Sequence, residues 1–363
     1  MDYNEFIKNI YYYEVQFNEP FTLNSFKGDY SDSGKQIYSD TIHAAITQMA
    51  FEYNLLEEKG IRDFCDNFVV SNLYVKEKLS EEKSSFFLPF PIVWKSFFLK
   101  NNQYKDSRDN SLEKSIKKVE FIELDALNEI NNKGKMDLNN YYIDNVKRAI
   151  FLKEKAKKLN NNKWLISEEV GRNVQSRVSG GASERIQPFF IERVYVDSNV
   201  SFFFIVKVSD KYKKIVDDAL HILSKSGIGS DKNVGNGKFK VICDGKNLPD
   251  QFKRLFQLKE KDDDLSVNIS LFNPELTSSE LTMLIKNGFY QFIKRGGWIT
   301  SSPFHTLRKK NGFMIKEGSC FADLRSIVSG RLLDLSPEWN VEPKPIVFRS
   351  GKSIFIRIRN LSK

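Results

Sequence analysis

The chain has 363 residues, 40% apolar and 13% aromatic with 30 Phe, which excludes a mainly disordered protein and allows one large core or two ordinary ones. Lys and Arg number 56 against 47 Asp and Glu, a formal charge of +9, and this excess favours a polyanionic partner. Cys65, Cys243 and Cys320 are far apart without metal-ligand spacing, and neither an apolar signal core in "MDYNEFIKNI" nor an 18-residue apolar run occurs; the expectation is a reduced, soluble, cytoplasmic protein without a metal site or membrane contact.

"YYYEVQFNEPF" (11–21) alternates aromatic and β-branched residues into a Pro and reads as a strand. A polar, glycine-containing loop follows it. In "SDTIHAAITQMAFEYNLL" (39–56), Ile42, Ala45, Ile46, Met49, Ala50 and Tyr53 fall at helical spacing, with Ser39 or Asp40 placed as N-cap. From about 71 to 165 the chain holds a Pro-punctuated apolar segment and a long stretch rich in Asn, Lys and Asp, which reads as an elaborated insertion and not as a core layer.

Residues 186–208 read as two strands joined by a short "DSN" turn, and 210–227 as an amphipathic helix with Gly227 as C-cap. The strand "KFKVIC" (238–243) follows. The order β-α-(insertion)-β-β-α-β is that of a ferredoxin-like (RRM-like, βαββαβ) unit. A charged linker at 257–266 separates it from a smaller, irregular half with a strand "SVNISLF", a helix near 277–294 and strands in "GFMIKEGSCF" and "PIVFRSGKSIFIRI". The predicted fold class is α+β, with two ferredoxin-like domains at 1–250 and 265–363, the first carrying the insertion and a glycine-rich loop.

That loop, "SGIGSDKNVGNGKF" (226–239), runs from a helix into a strand. A phosphate-binding loop of the Walker type enters a helix and ends in Lys then Ser or Thr; here Phe239 follows Lys238, and the dinucleotide fingerprint lacks its third Gly. No nucleotide cofactor is expected. Free N–H groups beside Lys232, Asn233 and Lys238 suit phosphodiester oxygens, while the plain alternative is a long turn needing positive φ at Gly227, Gly229, Gly235 and Gly237.

"GDYSDSGKQIYSDTIHAAI" resembles the opening of RAMP proteins in CRISPR effector complexes, and the 226–239 loop is similar to their glycine loop. "FFLPFPIVWK", "RGGWITSSP", "MIKEGSCF" and "GRLLDLSP…KPIVFRSGKSIFIRI" resemble, in order, the fourth subunit of the type III-A (Csm) interference complex, over about residues 20–358. The resemblance implies two ferredoxin-like domains and no catalytic centre. It also implies recognition of the CRISPR RNA 5′ handle, with docking to the large signature subunit and to a backbone RAMP subunit.

In that family a segment like 169–190 forms a protruding hairpin, so Arg172, Gln175, Arg177 and Arg185 become candidate phosphate or base contacts. Lys35, Tyr38 and Ser39 flank a helix N-terminus able to hold phosphate, or Ser39 and Asp40 merely cap it. His43 is a candidate for RNA contact, and the general acid or base of a metal-independent processing endoribonuclease in the alternative reading. In "KRGGWITSSPFHTLRKK" (294–310), Arg295 and Trp298 supply the basic-plus-aromatic pairing that suits single-stranded RNA, with Lys309 and Lys310 read as solvated if Trp298 is core. A further alternative is the equivalent RAMP subunit of another type III complex.

Overall fold

Strand β1 (Ile10–Phe17) sends alternate side chains into two different cores, because successive residues of a strand point to opposite faces. Tyr13, Val15 and Phe17 join one buried cluster, and Ile10 and Tyr12 the other. β10 (Val200–Val208) behaves likewise, with Phe202, Phe204 and Val206 on the first side and Phe203 and Ile205 on the second. The computed structural model describes residues 8–23, 34–100, 111–158, 162–173, 188–256, 264–299, 304, 307–322, 324, 326, 328–336 and 347–361.

The remaining strands of the first half are β2 (Phe68–Val70), β3 (Tyr74–Lys78), β4 (Ser84–Pro89), β5 (Phe121–Glu123), β6 (Tyr141–Asp144), β7 (Ala149–Leu152), β8 (Leu165–Asn173), β9 (Pro188–Val196) and β11 (Phe239–Asn247). The main sheet runs β11-β1-β10-β3-β4-β5-β7-β6, with β2 also on β10. Its first four strands are antiparallel, and the Ser39–Glu52 and Asp210–Ser226 helices cover one face. This is the strand order of a βαββαβ unit.

Two expectations change here. The second strand of that unit is β3, not residues 186–196: β9 instead pairs with β8 along its whole length as a separate antiparallel ribbon. The Asp197–Asn199 turn is present, with Val200 N–H donating to Asp197 O at 2.9 Å, but it hands the chain from ribbon to sheet. Local alternation marks a strand without naming its partner. The segment 71–165, expected as an appendage, adds β3, β4, β5, β7 and β6 to the sheet and places Trp94, Ile122 and Ile150 in the core. Polar composition hid this, because short strands contribute few apolar residues each.

The second half begins with β12 (Asp264–Asn268), the rest of the predicted linker up to 263 lying outside the described residues. Its further strands are β13 (Phe292–Arg295), β14 (Gly312–Ile315), β15 (Cys320–Phe321), β16 (Val328–Ser329), β17 (Leu332–Asp334), β18 (Phe348–Ser350) and β19 (Ser353–Arg359). They form a β15-β12-β19-β16 sheet and two ribbons, β13-β14 and β17-β18. The Ser278–Asn287 helix opens with a capping box between Thr277 and Glu280. It is this half's single α-helix among the described residues, so they do not complete the predicted second βαββαβ unit.

The two halves share a core. Leu265, Val267, Ile269, Ile354, Ile356 and Ile358 pack with Tyr12, Phe203 and Ile205 of the main sheet and with Leu127, Ile130 and Phe252 from the Leu124–Lys133 and Asp250–Phe256 helices. Tyr74 Oη donates to Ile269 O at 2.8 Å and Trp94 Nε1 to Arg359 O at 2.9 Å, tying β3 and the Ile92–Lys100 helix to the C-terminal strands.

One ion pair is wholly inside. Lys147 Nζ lies 2.7 Å from Glu77 Oε1, their side chains 0% and 2% exposed, and Trp164 Nε1 donates to the other carboxylate oxygen at 2.8 Å. Removing one partner strands a buried charge, whereas an apolar replacement of both is tolerated. Lys147→Ala should therefore cost about 3–5 kcal/mol in a denaturant titration, and the double change Glu77→Leu with Lys147→Met should recover most of it.

Candidate nucleic-acid interface

The glycine loop is held close by its own backbone. Gly227, Gly229, Gly235 and Gly237 have φ of 85°, 97°, 92° and 74°, the left-handed region that glycine enters without penalty. A Cβ on Gly237 would stand 2.0 Å from Ile228 O, and one on Gly229 2.3 Å from Thr22 O, whereas Gly235 faces open space. Six of the loop's N–H groups already have acceptors. Gly227 donates to Leu223 O, Ile228 to Gly237 O, Ser230 to Thr22 O, Val234 to Asp231 O, Gly235 to Lys232 O and Gly237 to Pro20 O. The expected backbone cradle is thus largely used to build the loop itself. Its outward offer is side chains: Asn233 and Lys238 are exposed and Lys232 half-buried.

Residues 20–23 lie between this loop and the β8–β9 ribbon. Phe21 and Val194 exchange backbone hydrogen bonds at 3.0 and 2.9 Å, and Thr22 Oγ1 donates to Glu192 O at 3.1 Å. Arg172 on β8 places Nη2 3.0 Å from Asp231 Oδ2 in the loop, so its guanidinium joins ribbon to loop. Gln175, Arg177 and Arg185 lie outside the described residues.

At the start of the Ser39–Glu52 helix the structure departs from both sequence readings. Tyr38 is the N-cap, without a side-chain cap bond, and Ser39 and Asp40 are the first helical residues. Both are buried against the C-terminal half. Ser39 N–H donates to Asn72 Oδ1 at 2.8 Å, and Ser39 Oγ accepts from Leu271 N–H at 2.9 Å. Asp40 accepts from Arg295 Nε and Nη2, each at 2.9 Å, and from Arg349 Nη1 at 2.6 Å. Burial pushes the Asp40 carboxyl up, but Arg295 and Arg349 outweigh it and hold it at about 2. Arg295 also lies 4.7 Å above the Tyr38 ring. A phosphate cannot reach Ser39 Oγ in this arrangement, and of residues 34–40 Lys35 alone is exposed.

His43 points into the core. Its ring stacks on Phe68 at 4.9 Å, Nε2 sits 3.4 Å from Cys65 O, and burial pulls its pKa down to about 4. Only 3% of the residue is exposed, so the expected RNA contact by its side chain is not available here. Trp298, in contrast, is 43% exposed, with Arg308 4.7 Å over its ring and paired with it in an isolated antiparallel backbone bridge. Arg349 and Lys309 were absent from the candidates. "PIVFRSGKS" reads as a strand with an ordinary surface arginine, and only the packing of β18 on the helix reveals its acidic partner. Among the described residues no group of three or more His, Cys, Asp or Glu is arranged to hold a metal ion, and no helix is long and apolar enough to cross a membrane.

The main sheet, with the glycine loop and a paired ribbon beside it, makes a mixed α+β fold that known structures share. Residues 261–358 match the family model for the CRISPR Csm4 C-terminal domain. The chain is similar to a chain of the Csm3–Csm4 subcomplex of the type III-A CRISPR-Cas interference complex, at TM-score 0.59 and 19% identity over 96% of this chain and 98% of that one. It is also similar to chains of the Csm1–Csm4 cassette in complex with cA4 (TM-score 0.53, 11% identity) and with pppApA (0.54, 12%), again over 96% and 98%. No curated protein matches it in sequence. Residues 261–358 thus carry a domain of the CRISPR Csm4 C-terminal type, and the chain as a whole shares the fold of these Csm4-containing structures.

Two outcomes follow from this geometry. Gly235→Ala should cost about 1–2 kcal/mol from backbone strain alone, and Gly237→Ala clearly more because its Cβ meets a carbonyl; thermal melts of both variants measure the difference. His43 is held neutral when folded, so its contribution is complete above its ordinary 6.5 and lost as pH falls towards about 4. That is about 3 kcal/mol over the window, and His43→Phe should flatten the acid limb of stability against pH.

Proposed function

We propose that this chain is a non-catalytic RNA-binding subunit that anchors the 5′ handle of CRISPR RNA and bridges it to the large signature subunit. The observation that carries the reading is the joint between ribbon and glycine loop. Residues 20–23 and the Arg172–Asp231 pair fix β8–β9 beside a loop that presents Lys232, Asn233 and Lys238, and the sequence that joins those two strands contains the arginine-bearing "QSRVSGGASER". Lysines there neutralise phosphates, and arginines in the connecting segment grip phosphate or stack on a splayed base.

Partners follow from the relatives, in which Csm4 stands in complexes with Csm3 and with Csm1. By that likeness this chain docks a backbone RAMP subunit on one side and the large subunit on the other. The burial of His43 and its depressed pKa speak against the endoribonuclease alternative, since a general acid or base must reach the ribose 2′-OH. Likewise the 261–358 match favours the type III-A component over the equivalent subunit of another type III complex.

The test is an electrophoretic shift and cleavage assay in EDTA, at two salt concentrations, on CRISPR RNA with and without its 5′ handle. The protein is used alone and with the large subunit. Binding should depend on the handle, weaken with salt and leave the RNA intact, and Lys232→Ala with Lys238→Ala should reduce the salt slope by about 1.4. Handle-independent binding, or cleavage that persists in EDTA, would overturn the proposal.

A further inference from the structure

Two arginines converge on one carboxylate at the seam between the two halves, and a lysine lies within their electrostatic reach. Arg295 and Arg349 both bond Asp40, and Lys309, whose backbone N–H donates to Gly297 O at 2.9 Å, brings its ammonium into the field of all three. Glu317, the other acid acting on Arg295, is matched by Lys316 at 3.8 Å. Among the described residues Lys309 has no ion-pair partner. Its surroundings are costly for a charge: burial first, then Arg349, bring its pKa down to about 8. An uncompensated, partly buried ammonium beside two guanidinium groups is a standing demand for an anion.

The outside of this cluster is built for a nucleotide. Arg295 uses Nε and Nη2 on Asp40, leaving Nη1 without a bond among the described residues. Gly297 has φ of 120° with nothing within 4 Å of its would-be Cβ, so a ligand can approach the backbone there. Next to it stands the half-exposed Trp298 with Arg308 over its ring, a platform of the kind on which bases stack.

We propose that Lys309 and the free edge of Arg295 bind one phosphodiester of single-stranded RNA at this seam, with the adjoining base against Trp298. The proposal rests on the RNA-binding reading and extends the interface from the glycine loop to the C-terminal half. Lys309 is the residue whose ammonium is given to the ligand; Arg349, bonded to Asp40 and to Gly296 O at 2.9 Å, holds the backbone next to Gly297 in place.

The experiment uses the full chain, with handle-bearing CRISPR RNA, in wild-type, Lys309→Gln and Lys309→Arg forms. Lys309→Gln should lower the slope of log affinity against log salt by about 0.7, which makes the affinity loss between roughly 50 and 200 mM salt about 2.5-fold smaller. Lys309→Arg should restore the wild-type slope. Because Lys309→Gln removes an unbalanced cation, its Tm should equal or exceed the wild-type value, whereas a cation kept for structure would lower it. An unchanged slope in a variant that still binds RNA overturns this site and leaves the RNA-binding reading standing. Unchanged RNA binding with weakened capture of the large subunit overturns it in favour of a protein carboxylate. Absence of RNA binding by the wild type, with the large subunit present, overturns both.

Discussion

The bond of Asp40 to Arg295 and Arg349 decides how the two halves of this molecule meet. A carboxylate at the first turn of the Ser39–Glu52 helix already sits favourably at the positive end of the helix dipole. Taking it and two guanidinium groups out of water costs several kcal/mol per ion, and only good geometry offsets that. Arg295 arrives from β13 through two parallel hydrogen bonds and Arg349 from β18 through a third. A small rotation of the C-terminal half would break all of them at once. The seam is thereby fixed in one orientation, which apolar packing alone does not specify.

Apolar packing supplies the bulk of the cohesion. The main sheet has no solvent face along β1 and β10: helices cover one side, and the C-terminal sheet with the Leu124–Lys133 and Asp250–Phe256 helices covers the other. Burial on both faces takes Glu14, Glu77 and Glu123 away from solvent, and each has recruited a lysine. Glu14 takes Lys76 at 2.7 Å, Glu77 takes Lys147, and Glu123 takes Lys155 at 2.6 Å. All three lysines come from the 71–165 region, so that region completes the electrostatics of the sheet as well as its width.

The proposed RNA edge follows from the same frame. Glycines in the 226–239 loop permit close backbone contact with residues 20–23, and those residues in turn hold β9. Loop and ribbon move as one body as far as these bonds hold, which suits an interface that must present several phosphate contacts in register. The cation surplus at the seam lies on the C-terminal side of the same chain, so an RNA crossing both sites would also clamp the halves together.

Much of the N-terminal unit was legible in the sequence, because its helices and strands carry strong periodicity: the 39–56 helix, the 210–227 helix with its Gly227 C-cap, and the strands at 11–21 and 238–243 all appear within a few residues. The resemblance to RAMP subunits likewise rested on local motifs and their order, and the family model and fold agree with it. What the sequence left undecided was pairing. Nothing local to residues 188–196 says that they join 165–173 and not β10, since a strand's alternation is the same whichever edge receives it. Nor does any local signal show that Asp40 is covered by arginines more than 250 residues away, or that His43 faces Phe68. Residue type and spacing determine which elements form; only the tertiary structure decides which charges are buried together, because desolvation depends on neighbours brought from distant parts of the chain.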